Sequence, residues 1–80
     1  MPHIAVKMYA GRSEAEKARL AEALAQALTA TLGSTDRSIS VGIEEIAPAD
    51  WMETVYAPEI TAKAPSLYKR PGYGPLVEEA

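Results

Sequence analysis

The residue with the clearest chemical potential in this chain is Pro2, which directly follows Met1. If Met1 is removed after synthesis, Pro2 carries a free secondary amine, a group that no other position in a chain provides. An α-amino group has a pKa of about 8, and an apolar pocket or a nearby cation lowers the pKa of an amine further. Such an amine can act as a general base near neutral pH. Because proline is also tolerated as the first residue of a strand, its position alone leaves a purely structural role open.

The composition removes most other routes to catalysis. The 80 residues include no cysteine and a single histidine, which excludes thiolate nucleophiles, disulfides and a metal site built from several histidines. A net charge of −3 without a basic stripe argues against nucleic acid as a partner. There is no apolar run of membrane-spanning length and no signal-peptide pattern, so we expect a cytoplasmic protein that does not bind a membrane.

Two alternating patterns predict the strands that would position Pro2. Apolar residues alternate with other residues over positions 3–9 and again over 39–46. The helical segment between them makes this a right-handed β-α-β unit with parallel strands. The sequence therefore predicts an α+β fold in which residues 1–80 form a single domain.

The connecting segment predicts an amphipathic helix over about residues 14–32. Ser13 and Glu16 have the spacing of a capping box at its start, and Gly33 suits a C-terminal cap. One face is apolar and the opposite face is mostly charged. We expect the leucines of the apolar face to form the core: Leu20, Leu24, Leu28 and Leu32.

The C-terminal segment, residues 48–80, is predicted to be irregular with short helical pieces, because its several prolines break any long helix. Helical turns are expected between Ile60 and Arg70. A two-stranded sheet with one helix cannot bury enough apolar surface alone. We therefore expect a homo-oligomer, most simply a twofold dimer with a continuous four-stranded sheet.

Several short motifs at fixed offsets resemble the 4-oxalocrotonate tautomerase superfamily. They are M-P-H-I at the start, G-R-S at 11–13, the strand S-I-S-V-G-I-E-E-I at 38–46 and an aromatic residue at Trp51. The resemblance implies a tautomerase-like β-α-β fold and a cofactor-free isomerase. It further implies that Pro2 of the processed chain is the general acid and base, moving a proton between the carbon and oxygen of a keto–enol pair.

The same resemblance implies roles for further residues. Arg12 would bind the substrate carboxylate and Trp51 would line the pocket. Hexameric members of the superfamily carry a second arginine at the position that is Ser40 here. This difference favours a monoacid substrate such as an arylpyruvate over a dicarboxylate.

The later part of the chain looks like the small dimeric branch typified by bacterial phenylpyruvate tautomerases. The stretches that carry this likeness are Pro58–Ile60 and Lys69–Tyr73. The resemblance therefore implies a homodimer in preference to a hexamer, acting on a small 2-oxo acid.

Strand geometry adds an inference of its own. A strand that begins beside Pro2 and ends before Arg12 separates the two by roughly 25 Å, at about 3.3 Å per residue. They cannot share a pocket within one chain. If the first strands of two chains pair antiparallel, Arg12 and Trp51 of one chain come to face Pro2 of the other.

Other residues and other functions stay open at the level of sequence. His3 adjoins the base, and Ser40 or Arg70 could contact substrate. The same amine could instead hydrate or dehalogenate unsaturated acids, although such reactions usually need a water-activating carboxylate that the sequence does not place. A non-catalytic oligomeric binding module, in which Pro2 only starts a strand, is the third hypothesis.

Overall fold

The structure is a computed structural model that describes residues 1–79. The described residues form two compact units, of which the first spans Met1–Ile46 and the second begins at Ala47. The first unit contains strand β1 (His3–Tyr9), helix α1 (Glu14–Leu32) and strand β2 (Ser40–Ile46). No helix in the described part of the chain is long and apolar enough to span a membrane.

Strands β1 and β2 form a parallel two-stranded sheet, which confirms the predicted α+β fold class. The register pairs His3 with Ser40 at one end and Tyr9 with Ile46 at the other. One correction concerns the start of the second strand, which was predicted at residue 39. The backbone N–H of Ile39 donates to the preceding 3₁₀ turn, Asp36–Ser38, so the strand begins one residue later.

Helix α1 begins and ends at the residues that its capping pattern indicates. The Ser13 hydroxyl accepts a hydrogen bond from the Glu16 backbone N–H at 3.1 Å, and the Glu16 carboxylate accepts one from the Ser13 backbone N–H at 3.0 Å. These reciprocal bonds satisfy backbone donors that a helix start leaves unpaired. At the other end Gly33 adopts a left-handed conformation with φ of 72° and donates to Thr29.

The expectation that the leucine face of α1 forms a buried core is wrong for the isolated chain. No residue of α1 is fully buried, and Leu32 is 67% exposed. The cause is the narrowness of the sheet, since two strands cover a width of only roughly 10 Å. Partly buried positions on the same face could pack further against additional protein: Leu20, Leu24 and Leu28.

The second unit contains several short helical pieces, one of which includes a proline. A ten-residue π-helix runs over Met52–Thr61 and contains Pro58, with the Ala62 N–H bonded to the Ala57 carbonyl five residues earlier. Proline disrupts an α-helix because it lacks an N–H and its ring meets the carbonyl four residues back. The i to i+5 bonding of a π-helix is a different arrangement, so the rule that proline breaks an α-helix does not describe this short segment. Shorter 3₁₀ turns occur at three places in this unit: Pro48–Asp50, Ala64–Ser66 and Pro75–Glu79.

The interior of the second unit is built around Tyr56. This side chain is 1% exposed, as is Leu76. The Tyr56 hydroxyl donates to the Tyr73 carbonyl at 2.7 Å and accepts from the Leu76 N–H at 3.1 Å, so the buried phenol has both bonds that it needs. The rings of Tyr56 and Tyr73 also meet edge to face, with centroids 5.2 Å apart. The C-terminal stretch is thereby fixed to the π-helix.

Candidate active site

The end of the sheet where β1 begins holds the residue predicted to be the base. The Ser40 backbone N–H donates to the Pro2 carbonyl at 3.3 Å, which ties Pro2 to the start of β2. Beside it, His3 Nδ1 and Ser40 Oγ are 2.6 Å apart. Two of the possible substrate contacts therefore form a hydrogen-bonded pair next to Pro2.

The nitrogen of Pro2 cannot act as a base while Met1 is attached, because it is then part of an amide. Met1 is the most accessible of the large apolar residues in this unit, with a relative exposure of 102%. The Met1 side chain therefore makes no packing contacts that would oppose its removal. Removal would give the residue directly before β1 a free secondary amine.

The opposite end of β1 carries Arg12 beside a small pocket. Arg12 Nη1 lies 3.4 Å from Glu16 Oε2, and the Arg12 side chain is 63% exposed. The pocket has a volume of about 280 Å³ and combines charged groups with apolar wall atoms of Met8 and Leu20. A guanidinium beside an apolar wall suits a carboxylate that bears an apolar substituent.

Lys17 completes this end of the sheet and also lines the pocket. Its ammonium group pairs with Glu14 at 2.7 Å and with Glu45 at 2.5 Å, and its side chain is only 16% exposed. The hydrogen bond to Glu14, followed by the one to Glu45, raises the pKa of Lys17. The hydrogen bond from Lys17, helped by the Gly11 backbone N–H, lowers the pKa of Glu45. Lys17 is thus engaged by two carboxylates and is not a ready second anchor for an anion.

Within one chain the predicted base and the predicted carboxylate anchor do not meet. Pro2 precedes β1 and Arg12 follows it, and the seven residues of β1 span roughly 23 Å. Reacting groups must come within about 3–3.5 Å of each other. A single copy of this unit therefore keeps the predicted base and the predicted carboxylate anchor apart, at opposite ends of one strand.

The remaining predicted site residues lie in the second unit. The Trp51 indole N–H donates to the Tyr73 hydroxyl at 2.8 Å, which fixes the orientation of the indole. Arg70 Nη2 lies 3.5 Å from the Leu76 carbonyl oxygen. The guanidinium of Arg70 is therefore directed towards backbone of its own unit.

Two ion pairs at the Arg12 end were not predicted from the sequence, and only the first of them has a local sequence signal. Glu16 was recognised only as a capping residue, although its i,i+4 spacing from Arg12 indicates an ion pair on a helix surface. The contact between Lys17 and Glu45 joins residues 28 positions apart. Only the packing of α1 on the sheet brings that second pair together.

The comparison with protein families identifies the class. Residues 2–55 match the sequence model of the tautomerase enzyme family, so the chain belongs to that family. The match begins at Pro2 and covers both strands, α1 and Trp51. The chain is therefore an enzyme of the isomerase class, which decides against the hypothesis of a non-catalytic binding module.

Individual relatives agree with this assignment. The chain is 45% identical over 76 residues to a probable tautomerase of Xylella fastidiosa, covering 95% of this chain and 93% of that protein. It is 46% identical over 74 residues to tautomerase PptA of Pectobacterium carotovorum, covering 91% and 97%. Among solved structures it is similar to TomN, a 4-oxalocrotonate tautomerase homologue in the tomaymycin biosynthetic pathway. That similarity has a TM-score of 0.62 at 35% identity and covers 81% of this chain and 97% of TomN.

Proposed function

We propose that this tautomerase interconverts the keto and enol forms of a small 2-oxo acid such as phenylpyruvate, with the nitrogen of processed Pro2 as general base and then general acid. In the ketonising direction the nitrogen takes the proton from the enol oxygen. The protonated amine then delivers a proton to C3 as the carbonyl forms. No electrons are gained or lost, so the reaction needs no redox partner.

The observation that carries the proposal is the placement of Pro2 and Arg12 at the two ends of β1. A twofold axis that pairs two β1 strands antiparallel would bring the start of each strand to the end of the other. Among the described residues, β1 pairs only with β2, which leaves its second edge available for such pairing. The incompletely buried leucines of α1 favour the same assembly, because a wider sheet would cover them.

In this dimer Arg12 of the partner chain would bind the substrate carboxylate while Pro2 acts on the neighbouring oxygen and carbon. The apolar side chains of Met8 and Leu20 beside Arg12 suit an aryl substituent. Trp51 is proposed as a further apolar wall, which would lower the pKa of the amine by desolvation. Much of the rate enhancement would then come from positioning and from a base whose pKa lies near the working pH.

The location we propose is the cytoplasm. A chain without cysteine fits a compartment in which disulfides do not stabilise proteins.

The direct test is the rate of phenylpyruvate enol ketonisation, followed by ultraviolet absorbance, for three forms of the chain. They are the processed wild type, Pro2→Ala, and a form in which residues preceding Pro2 are retained. Intact mass establishes the N-terminus of each. We expect both altered forms to lose about a hundredfold or more in kcat/KM, the usual contribution of a positioned general base. Equal rates for all three would remove Pro2 from the mechanism.

A pH–rate profile adds an independent readout. The amine must be unprotonated in the free enzyme, so kcat/KM should rise with pH and level off above the pKa of Pro2, which is about 8 or lower. A flat profile between pH 5 and 9 would contradict the assignment.

A further inference from the structure

The pocket beside Arg12 carries an unexpected charge balance for a site that would bind an anion. Three carboxylates pair with its two cations: Glu16 with Arg12, and both Glu14 and Glu45 with Lys17. The five groups sum to a net charge of −1. The dipole of α1, whose start lies here, adds only about half a positive charge. The surroundings of Arg12 are therefore close to neutral or slightly negative.

On the basis of the function proposed above, we propose that Glu16 is a specificity-determining residue that restricts the Arg12 pocket to monoanionic 2-oxo acids. One substrate carboxylate gains the direct charge-assisted contact with the guanidinium. A second carboxylate on the same molecule finds no free cation among the described groups that line the pocket. It meets the charge of Glu16 instead.

Glu16 is suited to this role because its carboxylate is held in place from both sides. One carboxylate oxygen accepts from the Ser13 backbone N–H at 3.0 Å, and the other lies 3.4 Å from Arg12 Nη1. The hydrogen bond from the Ser13 backbone lowers the pKa of Glu16, so the group stays ionised through neutral pH. If this carboxylate swung away to admit a dianion, it would lose its hydrogen bond from the Ser13 backbone N–H.

Glu14 does not share this constraint. Its side chain is 92% exposed and its carboxylate contacts Lys17 rather than Arg12. Glu16 is thus the carboxylate of the cluster that is both fixed and in contact with the proposed anchor. It is the one whose charge an incoming substrate would feel most directly.

The test compares two enols that differ in charge at C3, the uncharged phenyl group of phenylpyruvate and the carboxylate of oxaloacetate. The variant is Glu16→Gln, because glutamine at this position preserves the capping box while it removes the charge. We expect kcat/KM for oxaloacetate, relative to that for phenylpyruvate, to rise roughly two- to fivefold, the factor that corresponds to an exposed ion pair. The gain should appear mainly in KM and shrink at high salt, since screening weakens contacts between exposed charges.

The matched control is Glu22→Gln. Glu22 lies on the same helix about 9 Å further along its axis, accepts a hydrogen bond from Gln26, and does not line the pocket. Glu22→Gln changes the net charge of the protein by the same amount as Glu16→Gln. The ratio of kcat/KM for oxaloacetate to kcat/KM for phenylpyruvate should nevertheless stay at the wild-type value. A rise equal to that of Glu16→Gln would make the effect one of overall charge and overturn the proposal.

Two further outcomes would overturn it. An unchanged ratio in Glu16→Gln would mean that the charge of Glu16 is not felt by substrate. A fall in kcat/KM for both substrates would mean that Glu16 mainly orients Arg12. Arg12→Gln separates this inference from the proposed function: if it raises KM for phenylpyruvate while Glu16→Gln leaves the ratio unchanged, only the role of Glu16 fails. If Arg12→Gln leaves KM unchanged, the anchor itself is wrong.

Discussion

A subunit-mixing experiment tests whether each active site is shared between two chains. The perturbation is a pair of variants, Pro2→Ala and Arg12→Gln, each of which removes one half of the proposed site. The assay is phenylpyruvate enol ketonisation. The two proteins are mixed in equal amounts, unfolded in urea and refolded together, so that chains exchange freely.

The expected starting activities follow from the chemistry of each half. Loss of a positioned base costs about a hundredfold or more in kcat/KM. Loss of a charge-assisted contact to a carboxylate costs about 1.5–3 kcal/mol, which is roughly ten- to a hundredfold. Each variant alone should therefore retain at most about a tenth of the wild-type activity.

The mixture should recover far more than either variant alone. The roughly 23 Å length of β1 prevents Pro2 from meeting Arg12 of its own chain. A mixed dimer then has one site with both residues altered and one site with both intact. Random pairing makes about half of the dimers mixed, so the mixture should show about a quarter of the wild-type activity.

Sites contained within one chain predict the opposite, because every site in the mixture would then lack either Pro2 or Arg12. Activity no higher than the average of the two variants would refute the reasoning. The control mixes wild type with the double variant Pro2→Ala/Arg12→Gln. Shared sites predict about a quarter of the wild-type activity for this mixture, whereas separate sites predict about half.

Two further predictions concern folding stability. Gly74→Ala should destabilise the chain by about 1–3 kcal/mol in urea unfolding, because Gly74 has φ of 76° and an added Cβ would lie 2.6 Å from the Tyr56 ring. The control is Gly72→Ala, whose added Cβ meets open space and should change stability by less than about 1 kcal/mol. Equal effects of the two substitutions would contradict the packing argument. Glu45→Gln should reduce the dependence of stability on acid pH. Because Lys17 lowers the pKa of Glu45 in the folded state, that carboxylate stabilises the fold above its ordinary pKa of about 4.3, and the contribution is lost as pH falls through the depressed value. Urea midpoints between pH 7 and pH 2.5 should therefore converge for wild type and variant at the acid end, and parallel curves would contradict the role of Lys17.

The local features of the first unit could be predicted from sequence because each depends on residues close together in the chain. Ser13 and Glu16 form a capping box through bonds within one helical turn. Gly33 ends α1 because glycine adopts the left-handed conformation without steric cost. Pro2 could be recognised as a candidate base from its position and chemistry alone.

The second unit was harder to predict because proline chemistry gives only a negative rule. Pro58 indicates that a regular α-helix is unfavourable, but not which alternative replaces it. The burial of Tyr56 depends on partners 17 and 20 residues away. Such contacts are chosen by packing, and no local pattern encodes them.

The sequence by itself determined the β-α-β order, the caps of α1 and the candidate roles of Pro2 and Arg12, since these follow from periodicity, from short-range hydrogen bonding and from the resemblance at fixed offsets. Tertiary structure decided how charge is distributed around Arg12 and how much of the leucine face is covered. It did so because Lys17 meets Glu45 only when α1 packs on the sheet, and because the number of strands beneath a helix fixes how much of it can be buried.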